Sequence, residues 1–253
     1  MNSRTRYKMV IAYEGTQYCG WQRQPNALSI QELIEKALGT LCKTPLTLHG
    51  SSRTDAGVHA LAQVAHFTLE NPIDTRKLLY SLNGLLPHDI RIKALQEVPI
   101  TFHARFHAKR KVYHYHLHCE PFHEPWKRHY SHHIKHSFHL ESLQKAIPYF
   151  IGTHNFKAFA NENDRGSAKN SPFKTLYDLR LVEEPGGYRL EFEGSGFLYK
   201  MVRNIVGTLL ACSRGKLAPE EIPSILASQD RKKAPQAAPA LGLFLVRIDY
   251  ELS

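Results

Sequence analysis

Apolar residues along this chain recur at two spacings, and the points where one gives way to the other outline its elements. Tyr7–Tyr13 (YKMVIAY) is rich in aromatic and β-branched residues and closes on Glu14-Gly15, which predicts a strand. Ile30, Leu33, Ile34, Ala37, Leu38 and Leu41 then follow at helical spacing behind Ser29, with Glu32 three residues on from it in capping-box position. Leu61, Gln63, Ala65, Phe67 and Leu69 alternate with their neighbours as in a half-buried strand. Asp74 caps a helix carrying Leu78, Leu79, Leu82 and Leu85, which stops at Pro87, and Ile90–Leu95 reads as a short strand.

The later part opens on another strand, Lys111–Leu117, and passes through a His-, Pro- and aromatic-rich connection to about Phe138. A helix over Leu140–Phe150 follows. Thr175–Glu183 and Tyr188–Glu193 flank Pro185-Gly186-Gly187 and predict a hairpin with Tyr188, Leu190 and Phe192 on one face. Phe197–Arg214 predicts a long helix ended by Gly215, Pro219–Ser228 a shorter one, and Leu243–Tyr250 a closing strand. Asn161–Ser171, poor in apolar residues, predicts a mobile surface loop. In each half a Gly-Thr pair, Gly39-Thr40 and Gly152-Thr153, is expected just after a helix, a faint hint of duplication.

Composition adds a partner. Lys and Arg number 33 against 23 Asp and Glu, a net charge of +10, which favours a polyanion, nucleic acid ahead of an anionic membrane. The cysteines Cys19, Cys42, Cys119 and Cys212 form no C-x-x-C pair, which argues against a disulfide framework or zinc ribbon and suits a reducing cytoplasm. The apolar run Met9–Ala12 is too short for a signal peptide, and no stretch approaches membrane-spanning length.

The densest chemistry lies in His49–His59 (HGSSRTDAGVH). Gly50 and Gly57 give the backbone freedom, Ser51, Ser52 and Thr54 offer hydroxyls, and Arg53 two positions before Asp55 favours a charged carboxylate, a usable nucleophile. The same residues would equally serve an Asx-type turn with a surface ion pair.

The run SRTDAGVHALAQVAHF, Ser52–Phe67, resembles the catalytic loop and following strand of the tRNA pseudouridine synthase A family. AYEGTQYCGWQRQ near the start, FHARFHAKRKVYHY around residue 110, GFLYKMVRNIVGTLL and APALGLFLVRIDY continue the resemblance in order over almost the whole chain. It implies that Asp55 is the catalytic aspartate and that Arg53 helps turn the target nucleotide out of its stack. It further implies that Tyr113 packs against the target base, that Arg203 pairs with the catalytic carboxylate, and that Leu243 lines the pocket. The substrate it implies is the anticodon stem-loop of tRNA, at positions 38–40, and the working form a homodimer in the cytoplasm.

Elementary chemistry agrees with that reading. Pseudouridine contains the same atoms as uridine, so the isomerisation needs no redox partner or group donor, and the resemblance implies that no cofactor or metal is used. The carboxylate can attack C6 of uracil or C1′ of ribose, or assist removal of a ribose proton. Arg23, Lys109, Arg110, Lys111, Lys200 and Arg203 are the candidates for holding RNA phosphates.

Two rivals come from other classes. His114, His116 and His118 alternate along one strand as zinc ligands can, although no nearby carboxylate or second cluster completes a site. A non-catalytic RNA-binding module of the RRM kind is the other, but its aromatic signature is missing. The expected architecture is α+β: a first half, residues 1–108, carrying the Asp55 loop, and a second, residues 109–253, completing the site. Each half would be a mainly antiparallel sheet with helices on one face, around a central RNA-binding cleft.

Overall fold

The computed structural model describes residues 4–161 and 171–250, so most of the loop expected over Asn161–Ser171 lies outside the described residues. The chain forms two compact units, Met1–Lys109 with Phe244–Ser253, and Arg110–Leu243. Both are mixed α+β with mainly antiparallel strands, as the alternating and helical spacings predict.

In the first unit, strand β1 (Thr5–Tyr13) lies between β3 (His59–Leu69) and β4 (Ile90–Val98), antiparallel to both. The two-residue β2 (His49–Gly50) pairs with β3 on the approach to the Asp55 loop. The closing strand β10 (Leu243–Tyr250) runs parallel to β3, with Phe244 opposite His59 and Leu245 opposite Ala60. Tyr7, Met9 and Ile11 are fully buried on one face of β1, where Tyr7 stacks on Phe67 at 5.3 Å. Helix α1 (Ile30–Cys42) buries Ile30, Ile34, Ala37 and Leu38. Helix α2 (Thr75–Leu85) buries Leu78 and Leu82. Its Asn83 side chain exchanges two 2.9 Å bonds with the Ile92 backbone, where the β1–β4 register slips by a residue.

Details depart from the sequence reading. Ser29 caps α1 through the Glu32 N–H at 3.4 Å, but the Glu32 carboxylate reaches Lys36 at 2.8 Å, one turn along the same helix. Leu85 is exposed, and Leu86 just beyond the helix is buried in its stead. Strand β3 is not half-buried: Val64, His66 and Phe67 are all enclosed, because three strands pair with it and the imidazoles of His49 and His103 cover His66, while Leu61 faces outward.

In the second unit, β5 (Ala108–His118) pairs with β9 (Gly187–Gly194), β9 with β8 (Phe173–Glu184), and β8 with β7 (Gly152–Asn155), all antiparallel. The β8–β9 hairpin turns at Pro185-Gly186, as expected, and Leu190 and Phe192 are fully buried. The His-rich connection is not wholly irregular: it contains a 3-10 turn, Pro125–Lys127, and a short strand β6 (His132–His133) parallel to β5. Helix α3 covers Leu140–Ala146 and tightens to a 3-10 turn over Ile147–Phe150, where Pro148 lacks the N–H an α-helix needs.

Helix α4 starts later than the apolar run suggests, at Met201–Ser213, because Lys200 takes a left-handed φ of +61° that a helix cannot include. Its residues are buried nearly all round, which fits an apolar sequence with little amphipathic contrast. A 3-10 turn, Pro219–Glu221, leads into α5 (Ile222–Ser228). The two Gly-Thr pairs are not equivalent: Gly39-Thr40 lies inside α1, and Gly152-Thr153 opens β7. Among the described residues no helix is long and apolar enough to cross a membrane.

Candidate active site

Asp55 sits on an irregular loop between β2 and β3 whose backbone is tied down on both sides of it. Before it, the fully buried Gln63 of β3 clamps Ser52: its Oε1 accepts from the Ser52 N–H at 3.2 Å and its Nε2 donates to the Ser52 carbonyl at 2.7 Å. The Thr54 hydroxyl meets Tyr13 Oη at 2.7 Å, and the Thr54 carbonyl accepts from the Trp21 N–H at 3.1 Å. After it, the Val58 N–H donates to the Asp55 carbonyl at 3.2 Å across a turn in which Gly57 takes φ +77°. Behind it, a side chain at Gly20 would meet the Thr54 carbonyl oxygen at 2.4 Å, so only glycine lets the two backbones lie this close.

Ser51, Ser52 and Thr54 are buried, Asp55 is half-exposed and Arg53 is exposed. The loop therefore commits its Ser52 amide and carbonyl and its Thr54 hydroxyl to the fold, and carries a half-exposed carboxylate close in sequence to an exposed guanidinium. A pre-set carboxylate in this form loses little conformational freedom when it meets a ligand.

In the second unit, Tyr113 lies on β5, buried, with its ring edge-to-face against Phe197 at 5.1 Å. Arg203 is half-buried in the first turn of α4, and its Nε donates to the Ala238 carbonyl at 2.8 Å. Leu243, buried, opens β10 directly after Gly242, where an added side chain would meet the Tyr115 ring at 3.0 Å. Tyr115 was not singled out by the sequence reading. It is fully buried, its hydroxyl donates to the Pro239 carbonyl at 2.8 Å, and burial pushes its pKa up while the positive charge of Arg203 pulls the other way. The run Lys111–Tyr115 held two tyrosines on one face of the strand, which was the signal for it.

The phosphate-binding candidates differ in availability. Arg23 is largely exposed, 3.9 Å from Glu35 at its nearest. Lys109 is exposed and Lys111 half-exposed on β5. Arg110 is engaged twice, paired with Glu193 and lying over the Tyr177 ring at 5.0 Å. Lys200 lies over the Tyr199 ring at 5.5 Å.

The histidine row does have carboxylates beside it, contrary to the sequence reading, because the hairpin brings them across. His116 Nδ1 is 2.9 Å from Glu184 and His114 Nε2 is 3.6 Å from Glu191. His118 leaves the row to join His123 and His133, with ring centres 4.9 to 5.5 Å apart. Among the described residues no group of three His, Cys, Asp or Glu is arranged to hold a metal ion.

Comparison with known proteins matches the sequence to an isomerase family. The sequence pattern of the tRNA pseudouridine synthases matches residues 9–107 and 146–251. The chain is 53% identical to tRNA pseudouridine synthase A 1 of Protochlamydia amoebophila over 97% of its own length and 96% of that protein's. It is 45% identical to tRNA pseudouridine synthase A of Acetivibrio thermocellus, over 96% and 98%. With the enzyme of Chlamydia felis it shares 43% over 97% and 91%. The chain belongs to the tRNA pseudouridine synthase family. It is thus an isomerase that acts on tRNA, of the kind those relatives' names describe as synthase A.

Proposed function

We propose that the protein converts uridine to pseudouridine in the anticodon stem-loop of tRNA, at positions 38–40, with Asp55 as the nucleophile. The observation that carries the assignment to Asp55 is the loop itself: buried hydroxyls and clamped amides on both sides of one half-exposed carboxylate, with an exposed arginine two residues away. The reaction breaks the N1–C1′ bond, turns the base and joins C5 to C1′. Each route open to a carboxylate needs it fixed beside the ring and the sugar, and a tethered loop provides that.

Reaching the uridine requires turning it out of the stack, at a cost of about a few kcal/mol. Arg53 helps turn the target nucleotide out of its stack. Tyr113 stacks against the base, Leu243 lines its pocket, and Arg203 balances the charge of Asp55. These roles rest on the family resemblance together with the chemistry of each side chain. The same resemblance supports a homodimer working in the cytoplasm.

The test is incubation with an unmodified tRNA transcript, without metal or nucleotide, and mapping of new pseudouridines by carbodiimide-stop sequencing. Product confined to the anticodon arm supports the substrate assignment, and product elsewhere discards it. D55N is expected to abolish turnover while tRNA binding survives. Turnover persisting in D55N would remove Asp55 from the mechanism.

A further inference from the structure

The segment after α5 crosses α4 as a strap of alanines and prolines broken by Gln236, Ala234–Pro239, and the fold ties it down at several points. Arg231 donates through Nη1 to the Ala234 carbonyl at 2.7 Å. Its Nη2 donates to the Pro235 carbonyl at 3.1 Å and to Asn204 Oδ1 at 2.8 Å. Asn204, on α4 and 1% exposed, is anchored in turn by its Nδ2 donating to the Phe159 carbonyl at 2.6 Å. One turn along α4, a side chain at Gly207 would meet the Gln236 carbonyl oxygen at 2.0 Å, so the strap rests directly on the helix backbone. At its far end the Tyr115 hydroxyl holds the Pro239 carbonyl.

Between these ties, Ala238 exchanges two bonds with Arg203. The Arg203 Nε donates to the Ala238 carbonyl at 2.8 Å, and the Ala238 N–H donates to the Arg203 carbonyl at 2.9 Å. A guanidinium is planar, so a bond at Nε to a fixed carbonyl sets the plane in which the rest of the group acts. That carbonyl is only as fixed as the strap, whose one long side chain, Gln236, is exposed.

We propose that Arg231 is a positioning residue: by clamping the strap to Asn204 of α4, it holds the Ala238 carbonyl where it orients the Arg203 guanidinium. The inference rests on the reading of Arg203 as the cation of the active site. Neither Arg231 nor Gly207 touches substrate in this account; both act through Ala238.

Steady-state kinetics on a tRNA transcript, with melting transitions recorded for each variant, test it. R231A is expected to lower kcat about ten- to a hundredfold, the usual scale for misplacing a catalytic group by about an ångström, with KM changed by less than about twofold. R231K should lose activity similarly, since one ammonium cannot reproduce the planar fork across three acceptors. G207A, which lifts the strap by an unrelated route, should show the same kcat-selective loss. In an R203A background, R231A should add less than about twofold, because the group it positions is gone. Unchanged kcat in R231K and G207A, or losses that multiply fully with R203A, would overturn the proposal. If R231A fails to fold, R231K and G207A carry the test. Full activity of R203A would instead refute the reading of Arg203, whereas an inactive R203A beside a normal R231K and G207A refutes this inference alone.

Discussion

His66 shows what enclosure does to one side chain. It is 2% exposed in the middle of β3, its Nδ1 accepts from the Ala104 N–H at 3.2 Å, and the rings of His49 and His103 stand 5.0 and 4.6 Å away. Burial first, then the charges of His103, His49 and Arg6, push its pKa down to about 3. Burial likewise carries His132 down to about 4. The unfolded chain holds these groups near their ordinary value of about 6.5, so between there and the folded values it binds more protons than the fold does. Stability is therefore fully present above about pH 6.5 and lost as the pH falls toward 4. Melting temperatures measured across that window should drop, and H66Q should flatten the decline; an unchanged slope in H66Q would exclude His66 as a source. At this scale the sequence was legible only in part. Asp55 stood out because small and polar residues crowd around it within one short run. The clamp of Gln63 on Ser52 spans 11 residues and that of Arg231 on Asn204 spans 27, so neither partner is marked by its own neighbourhood.

The Asp55 loop behaves as an element in its own right, held by β3 through Gln63 as well as by its own Asp55–Val58 turn. Removing that side chain in Q63A leaves the buried Ser52 amide and carbonyl without their partner, a loss of about 1–3 kcal/mol. Denaturant unfolding should register it. Turnover should fall further than tRNA affinity, because the loop positions a carboxylate more than it contacts phosphates. Equal losses in kcat and in binding would argue that the clamp matters only to the fold. Elements bounded by local chemistry were readable in advance: Ser29 before α1, Asp74 before α2, and Leu243–Tyr250 with its alternation. Those bounded by tertiary geometry were not. The left-handed Lys200 delays α4, and the second face of β3 is closed by histidines that composition alone would place outside, whereas Pro148, which converts the end of α3, acts locally and was simply missed by the sequence reading.

For the molecule as a whole, a net charge of +10 makes phosphate contact the main source of affinity and ties that affinity to salt. Equilibrium binding of tRNA should fall linearly in log–log form between about 50 and 200 mM salt, with each phosphate contact contributing about −0.7 to −0.9 to the slope. R23A should shallow the slope by about one contact. R110A, whose guanidinium already serves Glu193 and Tyr177, should leave it nearly unchanged; a flat dependence in the parent protein would deny the electrostatic footprint. The order of manufacture also matters. Phe244–Tyr250, which flank His59 and Ala60 in the unit that bears Asp55, leave the ribosome only after the entire Arg110–Leu243 body has been translated. A nascent chain halted between Asp55 and Phe244 thus holds the Asp55 loop on a unit lacking one of its strands.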